Sequence, residues 1–287
     1  MDGGKQLKRR IQSARNISQI TGAMGAVAAS KMKKAQQIAG GGQPYQEMLA
    51  MIAGQLRRQA GEDFGHPLLI QTDKQKLQPK LYVLISADRG LCGGLNSNLF
   101  RLAEKVIPAA APVIAIGKKA VDYCDKTNWE MVGAIGEVGD KPAYMEVKPS
   151  STIAMEEFLG RRVSDVVLLY QKFHNTLVQR PTADTLLPVQ LKTLEEEMKI
   201  FNLSYTFRPQ RQELLDDLLP YYVHMSLYQA VLSAKAAEQS ARMIAMKNAS
   251  DNADDVRINL QLLYNQKRQQ TITSEISDVV TAGMAVK

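Results

Sequence analysis

The sequence is short of the residues that build reactive centres. In 287 residues it has 2 cysteines, 3 histidines and 1 tryptophan. Cys92 and Cys124 give neither a disulfide framework nor the close spacing that holds a metal, and they make a reducing compartment the default. His66, His174 and His224 are scattered, with no ligand spacing. No Ser–His–Asp or Cys–His arrangement emerges from the chain order. Aromatic residues are 6% of the chain, too few to build a platform for stacking bases. Basic residues are interleaved with acidic ones, so the net charge of +7 implies an acidic partner surface rather than nucleic acid. No apolar run approaches the roughly 18 residues that mark a bilayer span. The first ten residues lack the apolar core of a secretion signal, and a transit peptide is not expected because a helix begins almost at once. Gly90, Gly93 and Gly94 follow an apolar run, but match neither G-x-x-x-x-G-K-[ST] nor G-x-G-x-x-G. Glu195–Glu197 and Asp216–Asp217 read as solvated helix faces. No catalytic residue, cofactor or metal is expected.

What the chain does have is helix. From Glu213 to Lys287 it holds one proline, Pro220, near the start and one glycine, Gly283, near the end. The intervening stretch is rich in Ala, Gln, Met, Leu and Lys, all good helix formers. At 1.5 Å per residue its roughly 60 residues extend about 90 Å, too long for an ordinary globular core. Apolar positions step by three and four through Leu218, Tyr222, Met225, Ala236, Met243, Met246, Ala253, Val256, Leu260 and Leu263, resuming at Ile272, Ile276 and Val279. That is a coiled-coil stripe. It is a weak one, rich in Ala and interrupted by Lys235, Gln239 and Arg242.

Lys5–Ala39 predicts a second long helix. Its centre is made of small residues, Gly22, Ala23, Gly25, Ala26, Ala28 and Ala29, which suit close approach by another backbone. Gly40-Gly41-Gly42-Gln43-Pro44 predicts a break or hinge, with a further helix running from Pro44 to about Ala60. The texture then changes. Strands are predicted over 81–86, 112–117 and 165–173, with a final edge strand over 185–189. Helices are predicted from the Gly90 turn to Ile107, over 118–126 and over 152–162, with Asn96 capping the first of these. Strand–helix alternation predicts an α/β domain with a largely parallel, Rossmann-like sheet. The expected division is a coiled-coil helix over 1–60, a linker over 61–76, an α/β foot domain over 77–207 and a second coiled-coil helix over 208–287.

Three segments resemble one family. Ser13-Ala14-Arg15-Asn16 through Ile20-Thr21, with Ala23-Met24 and Val27-Ala28-Ala29-Ser30-Lys31-Met32, resembles the N-terminal helix of the gamma subunit of bacterial F-type ATP synthases. Asp88-Arg89-Gly90-Leu91-Cys92-Gly93-Gly94-Leu95-Asn96 is similar to that family's most recognisable internal segment. Ala241-Arg242-Met243, Leu263-Tyr264-Asn265, Arg268-Gln269 and Ile272-Thr273-Ser274-Glu275-Ile276 resemble its C-terminal helix. The resemblance implies an antiparallel coiled coil of the terminal helices with an α/β foot. It implies a rotor shaft inside a ring of alpha and beta subunits, standing on the membrane c ring and touching epsilon. Such a subunit is non-catalytic and peripheral, at the cytoplasmic face of the cell membrane, which it meets only through the c ring.

By the same resemblance, Met24, Lys31, Glu238, Arg242, Arg268, Gln269 and Thr273 are expected to meet the alpha and beta subunits, and Tyr205 and Arg208 the c ring or epsilon. Glu238 and Arg242, four apart, are expected to pair along the helix or to reach a partner. Gly22, Gly25, Gly40–Gly42, Pro220 and Arg208 depart from the family pattern, and Pro220 is expected to kink the shaft. No cysteine-bearing regulatory insert lies between Thr193 and Gln212. The competing readings are a coiled-coil adaptor and an α/β enzyme using the Gly90–Asn96 turn as an anion site.

Overall fold

The computed structural model describes residues 2–60, 66–70, 75–190 and 211–285. In chain order the elements are α1 (Asp2–Ala60), a 3-10 turn (Gln75–Leu77), β1 (Leu81–Ile85), α2 (Leu95–Val106), β2 (Pro112–Ile116), α3 (Lys118–Cys124), β3 (Glu130–Ile135), α4 (Tyr144–Leu159), β4 (Val166–Phe173), β5 (Gln179–Leu187) and α5 (Arg211–Ala285). They form two compact units, one of Met1–Ala28 with Arg242–Lys287 and one of Ala29–Ala241. Each unit takes a stretch of both long helices.

In the first unit α1 and α5 run antiparallel. Ser18 Oγ donates to Asp254 Oδ2 at 2.9 Å, and Ser250 Oγ donates to the Ser18 carbonyl at 3.1 Å. Farther along α1, Gly25 faces residues earlier in α5: a Cβ there would lie 3.6 Å from Met246 Cβ and 3.9 Å from the Met243 carbonyl oxygen. The small residues at the centre of α1 therefore do bring two backbones close. Among the described residues of this unit, the buried apolar ones are Ala14, Ala28, Met246 and Ala253. Because alanine removes little apolar area from water, serine and aspartate hydrogen bonds carry part of the pairing.

The second unit is built on a five-stranded sheet of order β3-β2-β1-β4-β5, parallel except for the antiparallel edge strand β5. Leu81, Val83 and Ile85 pack with Ile114, Phe158, Leu215, Leu219 and Val223. Tyr82 and Leu84, on the opposite face, pack with Leu99, Ala103 and Ala120. Helices cover both faces, which is why β1 reads as a continuous apolar run. The stripe Leu215, Leu219, Val223 and Leu227 is fully buried and seats α5 on the sheet.

Four sequence expectations are corrected. The break at Gly40–Pro44 does not occur: α1 runs unbroken through Pro44. Ala35, Leu49 and Ala53 are buried on either side of it, and Gln229 Nε2 donates to the Ala39 carbonyl at 2.7 Å. Tertiary contacts there outweigh the local cost of glycine and proline. Pro220 also lies inside α5, which continues past it; the nearby Leu219 and Val223 are both fully buried. β3 escaped the pattern because it is a half-exposed edge strand carrying Gly133. α4 begins at Tyr144 rather than at residue 152, with Pro149 inside it. Its first turn is held by Glu146 Oε2, which accepts from the Ala143 N–H at 3.0 Å. β5 starts at Gln179, six residues before the expected edge strand (185 − 179 = 6); its alternating polar residues, with Pro181 on the edge, gave no apolar run. No helix among the described residues is long and apolar enough to cross a membrane.

Candidate functional site

The turn after β1 is the most elaborated part of the second unit. Gly117, at the end of β2, has φ +94, and a Cβ there would sit 2.3 Å from the Ser86 carbonyl oxygen. Only glycine lets the two strand ends approach so closely. Ser86 Oγ accepts from the Ala120 N–H at 2.6 Å and anchors the start of α3. Asp88 follows. Its Oδ1 accepts from the Lys118 N–H at 3.3 Å and the Val138 N–H at 3.2 Å, and its Oδ2 from Lys235 Nζ at 2.6 Å. One carboxylate thus joins the ends of three strands to α5.

The turn then folds onto α5. Cys92 and Leu95 are buried against Ala237, with Phe173 and Ala241 beside them. Leu91 at its apex has φ +60 and is 63% exposed. Asn96 does not cap α2, whose N-cap is Gly94. Its Oδ1 instead accepts from the Ala87 N–H at 3.3 Å, and its Nδ2 faces Cys92 Sγ at 3.7 Å. In an open α/β sheet, ligands bind beyond the carboxyl ends of the strands where the strand order reverses, here between β1 and β4. In this chain α5 takes that place: Ser233 Oγ accepts from the Phe173 N–H at the end of β4 at 3.1 Å, and Lys235 takes Asp88. That packing fills the place where a ligand of such a sheet would sit and lends no support to the reading of this turn as an anion site.

Residues 234–240 of α5 are buried around the whole helix. They include Lys235, Glu238, Gln239 and Ser240, none more than 5% exposed. Lys235 Nζ lies 3.3 Å from Glu238 Oε2. Gln239 Nε2 donates to Asp140 Oδ1 at 3.1 Å, and the other oxygen of Asp140 accepts from Lys31 Nζ of α1 at 2.6 Å. Burial works to raise the Asp140 carboxyl. The hydrogen bond and charge of Lys31, helped by Lys235 and Arg89, outweigh it and hold the group below its ordinary value. The apparent gaps in the helical stripe at Lys235 and Gln239 are the polar fastening of the unit.

Expected contact residues fall into three groups. Lys31 and Glu238 are engaged inside the chain, with Asp140 and Lys235 respectively. Glu238, at 4% exposure, is corrected from a partner-facing to an interior residue. Met24 and Arg242 belong to the first unit and are half-buried. Arg268, Gln269 and Thr273 are exposed, on a stretch of α5 from 265 to 281 that is exposed on every side. Thr273 Oγ1 donates to the Gln269 carbonyl at 3.0 Å. Tyr205 and Arg208 lie outside the described residues. Sequence reasoning passed over Asp140, and it took Lys235 and Gln239 as defects in a stripe. The available signal was three polar residues at i, i+3 and i+4 inside an otherwise apolar run.

No group of acidic, histidine and cysteine side chains among the described residues is placed to hold a metal. His66 and His224 are framework groups. His66 Nδ1 accepts from the Leu68 N–H at 3.1 Å, so its proton sits on Nε2, 3.2 Å from Asp216 Oδ1; burial, against the pull of Asp216, keeps the ring's pKa low. His224 Nδ1 lies 2.6 Å from Ser151 Oγ and is lowered by burial and by Lys148. A polar cleft of about 490 Å³ lies between β4–β5 and the helices. Its lining groups Tyr170 and Asp184 are hydrogen-bonded to each other at 2.9 Å.

The geometry defines a class: a protein of two long antiparallel helices with an α/β domain inserted between them in sequence and bolted to both. The family model described as ATP synthase matches residues 3–286. Two relatives from strains of Dehalococcoides mccartyi, each named ATP synthase gamma chain, are 40% identical over 288 residues and 39% identical over 287 residues, each alignment covering 98% of both chains. The chain belongs to the ATP synthase gamma-chain family. Among solved structures, it is similar in fold to a chain of the Euglena gracilis mitochondrial ATP synthase in its OSCP/F1/c-ring assembly, with a TM-score of 0.67, 18% identity and coverage of 99% and 94%. It is also similar to a chain of the rotor of that enzyme, with a TM-score of 0.62, 17% identity and coverage of 94% and 98%. A chain of the Tetrahymena thermophila central stalk and c ring aligns at a TM-score of 0.55, 23% identity and coverage of 80% and 99%.

Proposed function

We propose that this chain is the central-stalk rotor of an F-type ATP synthase. It couples ion-driven turning of the c ring to conformational changes in the catalytic beta subunits, and runs in reverse on hydrolysis. The observation that carries this reading is the 265–281 stretch of α5, exposed on every side and carrying Ile272, Ile276 and Val279 at 46%, 59% and 72% exposure. A helical stretch with no packed face draws little stability from tertiary contacts, and on this reading a sleeve of partner subunits covers it. Its sparse apolar surface suits a turning contact, since about 1.4 kcal/mol of preference for one orientation already biases two states tenfold.

On this reading the subunit is itself non-catalytic. Arg268, Gln269 and Thr273 contact loops of the beta subunits, while Met24 and Arg242 act nearer the middle of the helices. Tyr205 and Arg208 face the c ring and epsilon. The protein is peripheral at the cytoplasmic face of the membrane and reaches it only through the c ring. The similarity in fold to chains of ATP synthase rotor, central-stalk and F1/c-ring assemblies supports these partners. Co-expression with alpha, beta and epsilon tests the reading: an ATPase containing this chain should co-purify, and with the c ring in vesicles it should synthesise ATP from an ion gradient. A chain that never enters such a complex refutes it.

A further inference from the structure

How the α/β domain grips the helices it would turn is visible in three pairs of atoms. Asp140, on the loop between β3 and α4, sends its two oxygens to different helices: Oδ2 to Lys31 Nζ of α1 at 2.6 Å, and Oδ1 to Gln239 Nε2 of α5 at 3.1 Å. Asp88, at the end of β1, takes Lys235 of α5 at 2.6 Å, and Lys235 lies 3.3 Å from Glu238. Lys235, Glu238 and Gln239 share one face of α5 at i, i+3 and i+4. Apolar packing around them excludes water but is non-directional, so it opposes separation better than rotation of a helix about its own axis. Hydrogen bonds with fixed angles oppose rotation. A buried ion pair is a weak source of stability next to an apolar substitute; its presence here points to register.

We infer that Asp140 is a positioning residue that ties both helices to the α/β domain, with Asp88–Lys235 as the buried half of the same lock, so that torque applied to the domain reaches α1 and α5 together. This rests on the rotor reading. Without the lock, the domain still holds the helices by packing but yields under load.

The test uses the assembled, vesicle-reconstituted complex carrying Asp140→Asn, Asp88→Asn, or the exchange Lys31→Asp with Asp140→Lys. Three quantities are measured: yield of complex with ATPase activity, ions pumped per ATP hydrolysed as the opposing gradient is raised, and the angular spread of a probe fixed to the α/β domain. With Asp140→Asn, yield and unloaded hydrolysis should stay native. The pumping ratio should fall increasingly with load, with the disengaged state gaining about two- to fivefold in population, as expected for a half-exposed ion pair. The exchange should recover most of the loss. Asp88→Asn should fall further. Should it fail to assemble, Asp140→Asn still decides the question, because its side chain is 50% exposed. A native pumping ratio at every load and an unchanged angular spread in Asp140→Asn would overturn the lock. So would an exchange no better than the single change. Failure of the native chain to assemble would instead refute the rotor reading.

Discussion

Two stretches of α5 divide its labour. Residues 234–240 are enclosed on all sides and carry a lysine, a glutamate, a glutamine and a serine in the interior; residues 265–281 are open on all sides and carry isoleucines and valines on the surface. Each inverts the usual partition of polar and apolar groups. In the first, charge is buried because it is paired, and it fixes one geometry. In the second, apolar surface is left open, as expected of a surface that meets another protein. One helix thus carries an enclosed polar stretch and an open apolar one.

The comparison can be broken most strongly at the joint. Asp88→Ala leaves the buried Lys235 ammonium with Glu238 alone and should cost about 1.5–3 kcal/mol, read as a lower urea midpoint for the chain within its complex. Gly117→Ala forces a Cβ onto the Ser86 carbonyl at positive φ and should cost more than about 1 kcal/mol, whereas Gly25→Ala, which meets only ordinary contacts, should stabilise by up to about 1 kcal/mol through helix propensity. A thermal shift of opposite sign for the two glycines checks this pair. Arg268→Ala in the open stretch should leave the stability of the second unit within about 0.5 kcal/mol. It should still lower coupled ATP synthesis, because a charge-assisted hydrogen bond to a partner is worth about 1.5–3 kcal/mol; unchanged synthesis removes Arg268 from the contacts.

The smallest effect sharpens the electrostatics of the joint. Asp140 has a folded pKa held below its ordinary value. Its contribution is therefore complete above the unfolded value of about 3.9 and disappears as pH falls through the lower folded value. Asp140→Asn should flatten that acid limb of the stability curve by under about 1 kcal/mol, since the pair is half exposed and screened. An acid limb identical in the two proteins would show that the carboxylate does not titrate on unfolding.

The elements that were legible in the sequence were those whose local pattern and tertiary environment agree. β1, β2 and β4 are buried on both faces and read as unbroken apolar runs; both long helices announced themselves by composition. β3 and β5 were missed or shortened because edge strands need satisfy only one neighbour, and Glu130, Thr182 and Asp184 carry no apolar signal. Gly40–Pro44 misled because its breaking tendency is local, while the buried Ala35, Leu49 and Ala53 pack α1 against the rest of its unit. The internal motif Asp88–Asn96 was recognisable by resemblance, yet the lock was not. Pairing Asp140 with Lys31 and Gln239 joins residues about a hundred positions apart, and no spacing along the chain encodes that. The gap in the stripe around Arg268 falls on a stretch that is exposed on every side among the described residues.

The close approach at Gly25 has a mechanical consequence. Two rods fastened side by side resist bending more as the distance between their axes grows. Helices faced with glycine, alanine and serine come to the short end of the usual 8–10 Å separation. A side chain larger than alanine at Gly22 or Gly25, where a Cβ would already lie 3.6 Å from α5, would set the two axes farther apart and stiffen the pair.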